Sequence, residues 1–310
     1  MAAKLYRNSA IAIKIETTPG TDIIPTPAAN ALVVRNMAIS PIAMTVESRD
    51  LMRAYLGNSE DIVVARWFEF EFEVEMAGSG TAGTAPAYDA VMRLCGHSKT
   101  VNAGTSVVYA PISSAFETAS IYCNIDQLLH KSTWCMAKLA WDLSAGKIPV
   151  WKVSGKGLFV PVTDTTSWSP TYANQAKPLG VNKANTTASL HTIAAPIETL
   201  NVDTAAQIEY RNLINYEGVM YTDRKPAGNI SLEMTSVATK DWITTASNAT
   251  TGALNVIHGL TAGNIVEITA PNAQVTTPKY GNSQGILMLQ CGLKLMPGSS
   301  GNDEYVITVR

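Results

Sequence analysis

Histidine is scarce in this chain. The four copies in 310 residues (His97, His130, His191 and His258) stand apart, none in the HExxH or HxH spacing that would hold a metal. The four cysteines, Cys95, Cys123, Cys135 and Cys291, are equally scattered, with no CxxC or CxxH pair, and read as reduced, packed thiols of a protein made in a cytoplasm. No apolar run approaches the length needed to cross a bilayer, and Lys14 and Glu16 interrupt the opening apolar stretch too early for a signal peptide. Charge is sparse, 15% of residues, and sums to −2, which excludes a strongly basic nucleic-acid binder. GxSxG is absent, and Gly146-Lys147 and Gly155-Lys156-Gly157 lack the rest of a phosphate loop. Neither a catalytic residue nor a cofactor nor a metal is therefore expected. Low charge over this length fits a surface largely covered by other subunits.

What is present is the run Arg66 to Met76, RWFEFEFEVEM. Phe68, Phe70, Phe72, Val74 and Met76 alternate with Glu69, Glu71, Glu73 and Glu75. Successive strand side chains point to opposite faces, so this is a strand with one apolar and one acidic face. Glutamates two residues apart sit about 7 Å from each other and repel by roughly 0.6 kcal/mol per pair even in bulk water. The row is either a solvated strand face or a surface meant to face something negative that must not stick. It cannot form the curved oxygen cage of a calcium loop, because its carboxylates lie in a straight line.

Residues 1–35 read as an extended arm. A short strand at Ile11 to Ile15 precedes a segment where Pro19, Gly20, Pro25 and Pro27 prevent regular structure. Ile23 and Ile24 give that segment something to anchor with; the alternative is a floppy terminus. Strands follow at Ala43 to Glu47 and Ile62 to Met76, joined by a polar segment containing Arg49 and Arg53. Pro86 opens a helix that Gly96 closes, and further strands lie at Ser106 to Pro111, Ala119 to Ile125, Trp134 to Leu143 and Pro149 to Val153. Residues 166–205 read as a connection rich in Ser, Thr and Asn. The order of elements then restarts. Residues 47–50 and 55–57 are answered by 209–212 and 216–218, and Val74-Glu75-Met76 by Leu232-Glu233-Met234. The helix is answered by residues 238–246, 108–111 by 268–271, 135–139 by 291–295, and 149–153 by 305–309. Matches in one order at a common offset indicate a duplicated β module, residues 36–165 and 206–310; two unrelated β domains with similar short strands is the other reading.

Three stretches carry a family likeness. GSGTAGTAPAYDAVMRLCG is similar to the turn-and-helix segment of bacteriophage tail tube proteins, the major tail proteins of long-tailed phages. CNIDQLLHKSTWCMAKLAWDLSAGKIPVWKVSGKG resembles that family's central hairpins, and the stretch from Gly263 to Arg310, with its GNDE turn at Gly301 to Glu304, resembles its closing strands. The resemblance implies a mainly β fold: two tandem tail-tube-like sandwich or barrel modules, each with a flanking helix, behind the N-terminal arm. It implies a structural virion protein, made in the host bacterial cytoplasm, that assembles into stacked rings forming a conduit for genome DNA. Its partners would be copies of itself, a tape measure protein inside the tube, and terminator and tip proteins at its ends, with no membrane and no specific DNA binding. A β-rich capsid-decorating or cell-surface binding module is the alternative. On the tube reading, Glu69, Glu71, Glu73, Glu75 and Glu233 are expected to line the channel, and Ile23, Ile24, Arg49 and Arg53 to form ring-to-ring contacts. Two modules per chain would let three chains close a pseudo-six-fold ring.

Overall fold

The computed structural model describes residues 3–310. Its strands are β1 (Ser9–Ile15), β2 (Ala31–Leu32), β3 (Arg35–Ser48), β4 (Asp61–Glu75), β5 (His97–Asn102), β6 (Ser106–Pro111), β7 (Ala119–Ile125), β8 (Leu128–Ser144), β9 (Val150–Phe159) and β10 (Thr163–Asp164). The later ones are β11 (Thr186–Leu190), β12 (Ile197–Asp203), β13 (Gln207–Leu213), β14 (Tyr216–Asp223), β15 (Ala227–Glu233), β16 (Thr251–His258), β17 (Val266–Ser283), β18 (Ile286–Met296) and β19 (Val306–Val309). Three short helices interrupt them: α1 (Pro27–Asn30), α2 (Asp89–Leu94) and α3 (Trp242–Ser247). The fold is mainly β.

The alternation in β4 organises the molecule as its sequence demands. Phe68, Phe70, Phe72 and Val74 are buried while the glutamates between them keep contact with solvent. Each such phenylalanine contributes roughly 1.5–3 kcal/mol of burial. Around β4, one layer runs in the antiparallel order β3-β4-β9-β8-β12-β15-β18-β17. A second layer runs β5-β6-β19-β17-β16-β11, and β2-β1-β7-β8 pairs beside it. The long strands belong to both layers. β8 pairs with β7 over its first half and with β12 over Ala140 to Ser144, turning at Trp134, whose φ is +49°. β17 pairs with β19 at Val266 to Thr269 and with β18 from Asn272 onward.

The apolar sides of the layers close on one core. Trp141 and Trp151 of the first layer meet edge to face at 6.2 Å, and Trp141 lies 5.1 Å from the ring of Tyr305, just before β19. Leu200, Val202, Ile230, Leu232, Leu293 and Val275 extend the same cluster through the second half of the chain. Gly155 is where strands crowd: an added Cβ would stand 2.3 Å from the Met136 carbonyl oxygen and 2.6 Å from Phe70.

Strand order repeats within the first layer. β3-β4-β9-β8 and β12-β15-β18-β17 are two four-strand blocks of like pairing, and in each a helix follows the second strand, α2 after β4 and α3 after β15. Three of the sequence matches fall on strands that do not correspond. Residues 108–111 lie in β6, outside the first layer, whereas 268–271 lie in β17, the counterpart of β8. Residues 149–153 lie in β9 between β4 and β8, whereas 305–309 lead into β19 between β6 and β17. Cys135 is in β8, whose counterpart by pairing is β17, not the β18 that holds Cys291. Short alternating strands with one buried face look alike in sequence, so local similarity misassigns them.

Of the N-terminal arm expected over residues 1–35, Met1 and Ala2 lie outside the described residues. Its strand runs over residues 9–15, two residues longer than Ile11 to Ile15, and pairs with β7 along its length, with Ile11, Ala12 and Ile13 buried. The irregular part that follows is fastened down by Glu16. This buried carboxylate accepts hydrogen bonds from Thr118 Oγ1 (2.6 Å), Ser120 Oγ (2.8 Å), Trp134 N (2.9 Å) and Gly20 N (2.8 Å). A carboxylate so supplied with donors tolerates burial. The connection at 166–205 likewise holds structure: β12 is a central strand, bonded to β8 on one side and β15 on the other. Its period-2 signal is broken by a register shift between Ile197 and Thr199.

Candidate functional site

The first layer buries one face and leaves the other bare. Because directly opposed residues share a face, the pairing lists the bare side. Glu69, Glu71 and Glu73 oppose Lys156, Ser154 and Lys152 of β9. Lys138, Ala140 and Asp142 of β8 continue the rows, and Asp203 and Asn201 of β12 carry them across the middle. Asn229 and Ser231 of β15, Gly292 and Gln290 of β18, and Thr276 and Lys279 of β17 complete them. Two concavities open side by side on the charged half, lined by Glu69, Glu71, Lys138 and Lys156 in one and Glu73, Lys152 and Asp203 in the other. A third opens on the other half between Asn229, Ser231, Lys279 and Gln290. All three concavities thus open on the polar side of the sheet, its hollow side, the first of them walled across by Gln207, Ile208 and Glu209 of β13.

The four glutamates therefore do share one face, and Glu233 stands on the same face in the other block. They are not the bare acidic stripe that β4 alone suggests. Lys152 Nζ is 3.2 Å from Asp142 Oδ2, Lys138 Nζ 3.6 Å from Asp203 Oδ2, and Lys156 Nζ 3.8 Å from Glu209 Oε2. Arg35 Nη1 reaches Glu75 Oε1 at 3.8 Å. Trp67 Nε1 donates to Glu69 Oε1 at 2.8 Å and Asn36 Nδ2 to Glu73 Oε2 at 2.9 Å. Such half-exposed pairs add little stability, at most about 1 kcal/mol each. What they do is mix the signs within a Debye length, so the face presents no sustained field. Sequence reading missed the lysines because they sit some eighty residues from their strand-β4 neighbours. Their own alternation, Lys152, Ser154, Lys156 against Trp151 and Val153, was the available signal.

Two hairpins leave the layer near the same end, where the Trp67 and Tyr210 rings stack at 5.2 Å. The first is the outer part of β3 and β4, with Met44, Val46, Ile62, Val63 and Val64 half exposed and Met52 and Leu56 at its tip fully exposed. Arg49 pairs with Glu60 there, and Arg53 lies over the Tyr55 ring at 5.9 Å. The second is β13–β14, rooted by Ile208, Val219 and Tyr221 on Met136 and Phe116, with Ile214 at its tip 93% exposed. Ile23 and Ile24 are not brought near either tip. They lie beside β7, Ile23 N–H facing Ser120 Oγ at 3.5 Å and Ile24 exposed with φ +50°.

Elsewhere the polar chemistry is structural. Arg224 and Glu304 form a buried pair at 3.0 Å that ties the GNDE turn to the β6 end, Arg224 also donating to Asn302 Oδ1 at 2.7 Å. His97 bridges the Met92 carbonyl and the Tyr305 hydroxyl, and burial pushes its pKa down to about 4. Burial raises the Cys95 and Cys135 thiols far out of the reactive range. Among the described residues no group of three or more His, Cys, Asp or Glu side chains is placed to hold a metal ion, and no helix is long and apolar enough to cross a membrane.

A two-layer β protein with a hollow, sign-mixed polar face and two projecting apolar-tipped hairpins belongs among structural proteins that assemble. The comparison with families specifies which. The sequence model of the phage tail tube protein family matches residues 7–286, and the chain belongs to that family. Among curated proteins no match is found. Family membership makes the protein a structural component of a phage tail, one subunit of a larger assembly.

Proposed function

We propose that this chain forms stacked rings with the hollow face of its first layer turned to the axis, making the conduit through which genome DNA leaves the capsid. The observation that carries the reading is the unbroken polar face of the eight-strand layer. Duplex DNA brings one charge per about 1.7 Å, and a basic lining would hold it through many phosphates. On the charged half of this face Lys138, Lys152 and Lys156 each have a carboxylate close by, so gripping a phosphate there means giving up an ion pair for one of equal worth. DNA slides over such a surface without a preferred stop.

The repeated strand order supports three chains per ring, each supplying two four-strand blocks where a single-module protein would supply one. The two projecting hairpins, with Arg49, Arg53, Met52 and Leu56 on the first and Ile214 on the second, suit contacts between rings, because exposed apolar tips need a partner surface. Ile24, exposed, and Ile23, half-buried beside β7, lie apart from both tips and would touch a neighbouring ring at a separate place. The tape measure protein would occupy the channel before DNA does, and terminator and tip proteins would cap the ends. No catalytic role is part of this reading. Electron micrographs of the purified protein test it: rings or tubes with a central hole are expected, and monodisperse monomers at high concentration would refute it.

A further inference from the structure

Away from the hollow face, a cavity of about 170 Å³ opens where the β7–β8 turn, residues 8–10 and the irregular segment 167–172 meet. None of its lining residues belongs to the eight strands of the first layer. Its walls are fixed by hydrogen bonds. Asp126 and Gln127 form the two-residue turn, with φ of +44° and +73°, the left-handed pair that such a hairpin requires. Asp126 accepts from Leu5 N and from Asn8 Nδ2, both at 2.7 Å, so both its oxygens hold the N-terminal residues. Asn124, buried, donates to the Thr166 carbonyl at 3.0 Å and accepts from Gln127 N at 2.9 Å. Thr165 N donates to the Gln127 carbonyl at 2.9 Å and Thr171 N to the Pro27 carbonyl at 3.1 Å, pinning the segment that carries Trp168 and Tyr172.

The lining selects a class of ligand. No lysine or arginine lines the cavity, and the nearby Lys4 ammonium donates to the Asp126 carbonyl at 2.8 Å, so an anion finds no free cation. Its one carboxylate already carries two donors, which leaves a metal ion without a ligand set. Apart from the two rings, only Ala10 and Pro170 are apolar, too little for a lipid chain. Among the described residues, the hydrogen bonds of the fold leave unused the Trp168 indole N–H, the Tyr172 hydroxyl and the side chains of Gln127 and Ser167. A half-buried indole and a 47% exposed phenol offer flat faces, and amides and hydroxyls offer donors and acceptors around them. A pyranose matches both, with C–H groups on its face and hydroxyls on its rim. We propose that this cavity binds one neutral pyranose unit, seated against Trp168 and Tyr172 and hydrogen-bonded by Gln127, Ser167 and Asn8. Because the walls are held before a ligand arrives, little ordering opposes binding.

The site does not depend on the ring reading, and its test runs on the purified full chain whether or not rings form. The probes are glucose, galactose and N-acetylglucosamine, each also as its methyl glycoside, with binding read by saturation-transfer NMR and tryptophan fluorescence. At least one probe should bind with a Kd in the millimolar range, as a single small ring in a shallow site does. Binding of the methyl glycoside assigns the site to the end of a glycan, and binding of the free sugar alone assigns it to a free sugar. Trp168→Ala should weaken binding at least about tenfold, and Trp168→Phe should restore most of it. Gln127→Ala removes an exposed side chain, so it should weaken binding severalfold with an unchanged unfolding curve, which separates loss of the site from loss of the fold. Inorganic phosphate should not compete. No binding by any probe, binding untouched by both Trp168→Ala and Gln127→Ala, or displacement by phosphate overturns the proposal.

Discussion

The two blocks of the first layer share a pairing order and a buried chemistry, yet their hollow faces differ. In β3-β4-β9-β8 that face carries Glu69, Glu71, Glu73, Lys138, Lys152 and Lys156; in β12-β15-β18-β17 the corresponding β15 positions are Asn229, Ser231 and Glu233, with Gln290, Gly292 and Thr276 beside them. On the core side the difference vanishes: Phe72, Val153 and Leu139 on one block, Ile230, Leu293 and Val275 on the other are all buried. Packing constrains volume at every core position, so both blocks keep their apolar faces. On the proposed tube reading, a face that slides past DNA need only avoid a net attraction, and two arrangements satisfy that: balanced charges or few charges.

If the blocks share one core they should also unfold together. Trp151, in the first block, and Trp242, in α3 of the second half, are both fully buried. Trp151→Ala and Trp242→Ala should each cost about 3–5 kcal/mol and lower a single cooperative transition by denaturant or calorimetry. Two separate transitions, each shifted by one variant only, would show that the halves are independent units.

A pH titration sharpens the comparison next. His97 titrates near 6.5 when unfolded and at about 4 when folded, and His130, His191 and His258 are lowered too, chiefly by burial. A base with a depressed folded pKa binds its proton more readily unfolded. His97 therefore contributes its full stability above about pH 6.5 and loses it as pH falls toward 4, a change of about 3 kcal/mol. His97→Gln should flatten most of that slope, with the smaller remainder shared by the other three, as read from stability curves between pH 4 and 7.

Smaller again in stability are changes at the hairpin tips. Met52→Asp with Leu56→Asp should leave unfolding within about 0.5 kcal/mol of the parent, since both side chains are solvent-exposed, yet stop rings from stacking. Ile214→Asp on the second hairpin should weaken stacking less, because that tip offers less apolar surface. Sedimentation of assembled material reads both.

The smallest effect on the isolated chain comes from the lining. Replacing Glu69, Glu71, Glu73 and Glu75 together with Gln keeps the shape and removes four negative charges beside Lys152 and Lys156, whose pairs with Asp142 and Glu209 remain. Assembled tubes should then retain DNA in a salt-dependent way, where the parent retains none. The same number of Gln or Asn changes at polar positions of the second block should do nothing.

Much of this was written plainly in the chain. The β4 alternation, the helix after Pro86 and the α3 segment capped by Asp241, whose Oδ1 accepts from Thr244 N at 2.9 Å, follow from local rules. Trp134 hid the true length of β8, because a left-handed residue inside a strand breaks the period from which strands are read. β12 was hidden for a like reason, its bulge and its Thr and Asn content masking a central strand. The charged face was half legible: its acids alternate along β4, but the lysines beside them arrive through pairing between distant segments.

One cross-section of the assembled tube tests the central claim most directly. Three chains per ring are expected, each contributing both blocks, with Glu69 to Glu75 and Asn229 to Glu233 alike facing the central channel. Six chains per ring with the second block outside the wall, or the glutamate row on the outer surface, would contradict it.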